Sequence, residues 1–155
     1  MKRILIATDG SPAATEAVEY GVELAKHEDA YVIFVHVVHQ TNLVPMNGFG
    51  LLASVPYEPT ALDEQVLEDA LAIAEREDVP GRTALLRGEP APEIVRYADL
   101  VGADLIVIGS RGHGAVSTAL WGSVSRGVLA AAKVPVLVVR AVKTPTAHRA
   151  PALAF

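Results

Sequence analysis

No cysteine occurs among the 155 residues. That removes disulfides, thiolate metal sites and thiol nucleophiles together, and it fits a reducing compartment. Positive charge is also short: 13 Lys and Arg stand against 18 Asp and Glu, a formal net charge of −5. With no basic stripe to neutralise a phosphate backbone, nucleic acid is not an expected partner. No apolar run approaches the roughly 18 residues of a membrane span. Met1-Lys2-Arg3 opens like a signal peptide, but Asp9-Gly10-Ser11-Pro12 breaks the apolar run that follows. A soluble, cytoplasmic protein with no membrane partner is expected.

Several chemical signatures are missing as well. No lysine follows a glycine in Gly-Lys-Ser/Thr order, so there is no P-loop. The first apolar run ends in Asp9-Gly10-Ser11, not in the Gly-x-Gly-x-x-Gly of a dinucleotide fold. Ser110, Ser123 and Ser125 have only His113 near them in sequence, and nothing to orient it. No catalytic residue is therefore assigned. His36 and His39 lie three apart on a strand and point to opposite faces, with no carboxylate pattern beside them, so no metal site is read there.

What is present is a globular composition, 51% apolar and 20% charged, of a length suited to one domain. Ile4–Ala7, Tyr31–Val38, Thr83–Arg87, Asp104–Ile108 and Val134–Val139 read as strands. Between them, helices are expected from Pro12 (capped by Ser11), over Ala61–Glu77, over Ala91–Val101 and over Arg126–Lys133. This alternation predicts an α/β fold, a doubly wound five-stranded parallel sheet with helices on both faces. Thr41–Thr60 has no clear period and holds Pro45, Gly48, Gly50, Pro56 and Pro59, so it reads as a long structureless loop, a lid or binding flap. Pro135 suits a sheet edge or a strand start for the last strand, not a central strand. A loose tail is expected over 143–155, after one domain over 1–142.

The most informative stretch is Gly109-Ser110-Arg111-Gly112, His113 to Trp121, then Gly122-Ser123-Val124-Ser125. It joins a buried strand to a helix. Glycines there let backbone approach a ligand, while free N–H groups and the helix dipole favour a phosphate. Any one of these glycines could simply make a turn. Three at this spacing, ahead of Ser123, point to phosphate binding by the N–H groups near Gly112 and from Gly122 to Ser125. The Ser123 and Ser125 hydroxyls could add donors, although Ser123 could equally cap the helix. Arg111 and His113 could reach such a phosphate, or could equally be solvated side chains. Trp121 reads as a packing anchor.

Gly109-x-x-Gly112-(nine residues)-Gly122-Ser123 resembles the signature of the nucleotide-binding branch of the universal stress protein family. Ile4 to Ser11, the His36-Val37 pair and Val134 to Val139 share the likeness, which runs from Lys2 to Arg140. The resemblance implies strand order 3-2-1-4-5, with a ligand crevice where the winding reverses, outside the ends of strands one and four. It implies ATP as the ligand, with AMP or cyclic AMP as alternatives, and Mg²⁺ as an accompanying ion. Asp9 would bond a ribose hydroxyl or a metal-bound water, or merely cap its own turn. Val37 would offer backbone groups and an apolar wall to adenine, with Ala7, Ile108 and Gly109 lining the same slot. A homodimer through the fifth strand and an unidentified downstream protein partner are also implied. The expected function is a nucleotide-binding regulatory or stress-response protein with little or no hydrolysis. A slow ATPase or phosphotransferase using Asp9 or His113 as base is one alternative, and a nucleotide-free interaction module is another.

Overall fold

The computed structural model describes residues 2–46, 50, 52–111 and 122–140. Its elements are β1 (Arg3–Ala7), α1 (Pro12–Glu28), β2 (Tyr31–Val38), β3 (Thr41–Pro45), β4 (Leu52–Pro56), α2 (Ala61–Arg76), β5 (Gly81–Arg87), α3 (Pro90–Val101), β6 (Leu105–Gly109), α4 (Ser123–Ala131) and β7 (Val136–Val139). Ile4 to Ala7 are buried on both faces because β1 is the middle strand of the main sheet. That sheet has the order β5-β2-β1-β6-β7, parallel throughout. Numbering only its own strands along the chain gives 3-2-1-4-5, as the resemblance implied.

Side-chain alternation divides the core in two. Ile4, Ile6, Val32, Phe34 and Val107 point to the face covered by α1 and α2, with Val18, Val22, Leu67 and Ala70 packed on them. Leu5, Ala7, Ile33, Val35, Ile106 and Ile108 point to the other face, under Ile94 and Ala98 of α3 and Val128 of α4. α1 starts where Ser11 and Pro12 predict: the Ser11 hydroxyl accepts the Ala14 N–H at 3.3 Å. α3 stops at Gly102, whose φ of 63° is the left-handed conformation that closes a helix. β7 is an edge strand, and Pro135 precedes it while its carbonyl still accepts the Ile106 N–H.

Two expectations are corrected. Thr41–Thr60 is not structureless: β3 and β4 pair antiparallel from Thr41↔Pro56 to Pro45↔Leu52, forming a separate two-stranded sheet. Pro45 and Pro56 sit at strand ends, where no interior ladder bond is lost, and Pro59 lies beyond β4. The Tyr57 N–H donates to the Gln40 carbonyl, and Arg87 Nη1 donates to the Tyr57 carbonyl at 2.8 Å, so the hairpin base is tied to β5. The last helix begins at Ser123, not Arg126. Its Ncap is Gly122, so Ser123 is the first helical residue and does not cap it. The 143–155 tail lies outside the described residues.

Candidate functional site

The winding reverses between β1 and β6, and a crevice of about 440 Å³ opens beyond their carboxyl ends. Ala7, Val35 and Ile108 line its base. Thr8 and Asp9 flank it after β1, and His36, Val37 and His39 at the end of β2. Pro90 and Ile94 of α3 face it, as do Gly109, Ser110 and Arg111, and Gly122 to Ser125 at the start of α4. Ten of the eleven residues expected around a ligand thus meet in one cavity: Ala7, Asp9, Val37, Ile108, Gly109, Arg111, Gly122, Ser123, Val124 and Ser125. Gly112, like His113 and Trp121, lies outside the described residues.

Backbone alternation explains what Val37 offers. In a parallel ladder, one residue turns its N–H and C=O to one neighbour and the next residue to the other. The Tyr31 N–H donates to the Lys2 carbonyl and the Val35 carbonyl accepts the Thr8 N–H, so odd positions of β2 face β1. The Val32 N–H and the Val38 carbonyl bond Pro80 and Gly88, so even positions face β5. Val37 is the next odd position, but β1 ends at Ala7, opposite Val35. Its N–H and C=O therefore turn past the end of β1 into the crevice, a donor and an acceptor side by side.

The α4 start supplies a different surface. The first N–H groups of a helix have no partner within it and carry partial positive charge. Among the described residues no side chain caps α4, whereas Ser11 caps α1 and Thr60 and Asp63 form a capping box on α2. The helix start is tied to β6 and β7: the Gly122 N–H donates to the Ser110 carbonyl at 2.7 Å, and the Ser110 N–H donates to the Val139 carbonyl at 2.7 Å. Ser125 is buried, and its hydroxyl reaches the Gly122 and Ser110 carbonyls at 3.0 and 3.3 Å. Its proton is therefore directed inward, which leaves its N–H as the donor toward the crevice. Gly122 has φ −67°, so no left-handed backbone requires glycine there. Gly109 has a packing reason of its own: a Cβ would lie 2.7 Å from the Ala13 carbonyl oxygen. Asp9 accepts the Ser11 N–H at 3.0 Å through Oδ1, making the turn into α1 while it lines the crevice.

Sequence reasoning missed what His36 does. Its Nδ1 lies 3.0 Å from the Thr8 carbonyl oxygen and its Nε2 lies 3.1 Å from Asp63 Oδ1, tying the ends of β1 and β2 to α2. The side chains of the pair are only 11% and 14% exposed, so this contact is largely shielded from solvent. Burial pushes the Asp63 carboxyl up. Hydrogen bonds from the Tyr57 hydroxyl, the Thr60 N–H and hydroxyl, and His36 outweigh it and hold that carboxyl well below the usual carboxylate range. The one legible signal was the capping box itself, Thr60 followed three residues later by an acid. No group of three His, Cys, Asp or Glu side chains suited to a metal occurs among the described residues.

The sequence profile of the Universal stress protein family matches residues 1–140. The chain belongs to that family. A universal stress protein of Methanocaldococcus jannaschii is 35% identical over 139 residues, covering 90% of this chain and 82% of its own. Among solved structures, a universal stress protein in complex with cAMP superposes with a TM-score of 0.69 at 25% identity, over 91% of this chain and 98% of its own. The universal stress protein of Archaeoglobus fulgidus in complex with dAMP gives 0.66 at 28% identity, over 90% and 98%. The crevice of this universal stress protein sits at the topological switch point of the fold, and these two neighbours are complexes with cAMP and dAMP.

Proposed function

We propose that this universal stress protein binds an adenine nucleotide, ATP first among them, in the crevice between β1 and β6, as a regulatory ligand with little or no hydrolysis. The observation that carries the reading is the uncapped start of α4, braced from beneath and open to the crevice. Its Ser123, Val124 and Ser125 N–H groups suit a polyphosphate, and the helix dipole adds to them. The Val37 N–H and C=O suit the adenine edge, which presents an acceptor and a donor side by side. Asp9 suits the ribose or an Mg²⁺-bound water. Mg²⁺ keeps several waters and binds chiefly through phosphates and one or two carboxylates, so a single Asp9 fits such an ion. When bound, the ion would neutralise phosphate charge.

Affinity and turnover separate in this arrangement, because donors are plentiful and a poised base is not. Asp9, one of two candidate bases, already accepts the Ser11 N–H through Oδ1. We further propose one domain over 1–142, a cytoplasmic location, and a homodimer through β7. The dimer reading is supported by four half-buried residues on an edge strand, Val136 to Val139, since an unpaired apolar edge invites a second strand. Among the described residues, no helix is long and apolar enough to cross a membrane.

The test is to denature the purified protein and identify the released small molecules by mass spectrometry, then to titrate ATP, AMP and cyclic AMP by calorimetry. An adenine nucleotide released or bound at micromolar levels, with multiple turnovers far below about 10 per second, is the expected result. Turnover at that rate would overturn the regulatory reading in favour of an ATPase or phosphotransferase. Absence of binding would favour an interaction module.

A further inference from the structure

We propose that the amino-terminal end of the main sheet carries a docking groove for an extended acidic peptide segment of a partner protein. A cavity of about 760 Å³ opens there, at the opposite end of the strands from the nucleotide crevice. Lys2, Arg3, Tyr31, Arg82, Tyr97 and Leu100 line it, over Ile33. Strand alternation explains why they converge. Leu5 and Ala7 of β1, Ile33 and Val35 of β2, and Ala84 and Leu86 of β5 all face α3, so Arg3, Tyr31 and Arg82 point to that same face. α3 is the helix that packs on β2 and β5 there, and it ends at Val101. The first row of strand residues is left as an open platform at its end.

Two features make the platform a recognition surface. The first is charge. Arg3 Nη1 donates to the Val101 carbonyl at 3.0 Å, and Arg82 Nη1 donates to the Tyr97 hydroxyl at 2.9 Å with its guanidinium 5.8 Å from that ring's centre. Both guanidinium groups are held by neutral oxygens, and no ion pair among the described residues involves Lys2, Arg3 or Arg82. Asp104, the carboxylate nearby, accepts the Lys2 and Arg3 N–H groups at 2.7 and 3.0 Å. In a chain with a net charge of −5, three cations and no carboxylate thus line this groove. Anchored guanidinium groups with donors to spare suit carboxylates. The second feature is the apolar surface between them, from half-buried Tyr31 and from Leu100, which is 69% exposed.

Spacing defines the ligand. Arg3 lies opposite Tyr31, and Arg82 opposite Ile33, so the two arginines stand two strands and two residues apart. Strand separation and rise put their Cα atoms about 12 Å apart. In an extended peptide, residues i and i+4 lie about 13 Å apart on one face, with i+2 between them. The segment that fits carries carboxylates at i and i+4 and an apolar side chain at i+2.

The probe is a fluorescein-labelled peptide containing Asp-Ser-Leu-Ser-Asp between glycines, read by fluorescence anisotropy against the full chain. Saturable binding is expected, weakened at least about tenfold by Arg82→Glu and left within about twofold by Arg76→Glu, which changes net charge equally on the exposed end of α2. Tyr97→Phe, which keeps the ring but releases the Arg82 anchor, should weaken binding by an intermediate factor, and replacing the peptide's leucine by serine should weaken it severalfold. Circular dichroism confirms that each variant is folded. No saturable binding, equal losses in Arg82→Glu and Arg76→Glu, or indifference to the leucine would each overturn the proposal. Displacement of the peptide by phosphatidylserine vesicles would assign the groove to a membrane surface instead. A fall in self-association in Arg82→Glu, seen by sedimentation without added peptide, would assign it to a second copy of the chain.

Discussion

Removing the Asp63 carboxylate should cost this fold more than its place in the first turn of a helix suggests. The carboxylate accepts the Tyr57 hydroxyl at 2.7 Å, the Thr60 N–H at 2.8 Å, the Thr60 hydroxyl at 2.9 Å and His36 Nε2 at 3.1 Å. Asp63→Ala deletes half of a capping box, worth about 1 kcal/mol. It also strips the largely buried His36 ring and the half-buried Tyr57 hydroxyl of a charged acceptor, each worth about 1.5–3 kcal/mol before water replaces part of it. A net loss of about 2–4 kcal/mol follows, and with a urea slope of about 2 kcal/mol per molar the midpoint should fall by about 1–2 M. Asp63→Asn retains an acceptor and should lose about half as much. The pH dependence has a defined sign. The folded carboxyl lies below its ordinary value, so the unfolded chain takes up the proton first as pH falls. Its contribution is complete above the unfolded value of about 4 and is lost as pH drops below it. The gap between parent and Asp63→Asn should therefore narrow from about pH 5 to about pH 3. Equal midpoints at neutral pH, or a gap that stays constant into acid, would refute the reasoning.

Four further substitutions each test a single residue. Gly109→Ala should destabilise by about 1–3 kcal/mol in urea unfolding, because its Cβ would meet the Ala13 carbonyl oxygen at 2.7 Å. Gly122→Ala, with 3.4 Å to its nearest neighbour and an ordinary φ, should cost under about 1 kcal/mol. On β7, the Ile106 and Ser110 N–H groups bond the Pro135 and Val139 carbonyls, so the intervening Val138 turns its N–H to the open edge. Val138→Pro should convert a dimer to a monomer in sedimentation velocity while sparing the β6 ladder, and an unchanged distribution would remove β7 from the interface. Asp9→Asn should weaken ATP and AMP equally in calorimetry if Asp9 holds the ribose, but spare AMP and weaken Mg²⁺-ATP if it holds the ion.

Where the sequence was legible, local chemistry and tertiary context agreed. Ser11-Pro12 starts a helix and Gly102 ends one, because capping and left-handed backbone are properties of a few adjacent residues. The unbroken apolar runs Ile4–Ala7 and Leu105–Ile108 are the strands buried on both faces. The β3–β4 hairpin was not legible, since Leu43, Val44 and Leu52 are exposed and the alternation of β4 turns Leu52 outward beside Ser54, against the apolar-in pattern that marks a strand. The His36–Asp63 contact joins residues 27 positions apart through a helix start, which no local pattern encodes. Gly109 shows the opposite difficulty: the motif was read for a ligand, yet this glycine also permits α1 to press against β6.

The most direct measurement of the central claim is ATP binding by Gly122→Val, set beside its unfolding midpoint. The Gly122 backbone already has φ −67° and its nearest contact would be 3.4 Å, so a β-branched residue should leave the fold intact. The same side chain would stand at the mouth of the α4 N–H groups, between them and a phosphate. Calorimetry should show micromolar ATP binding by the parent and none by a variant that stays folded, its urea midpoint lowered by no more than about 1 M for the loss of a glycine Ncap. A variant that folds normally and binds ATP as tightly as the parent would place the phosphate site elsewhere and contradict the account.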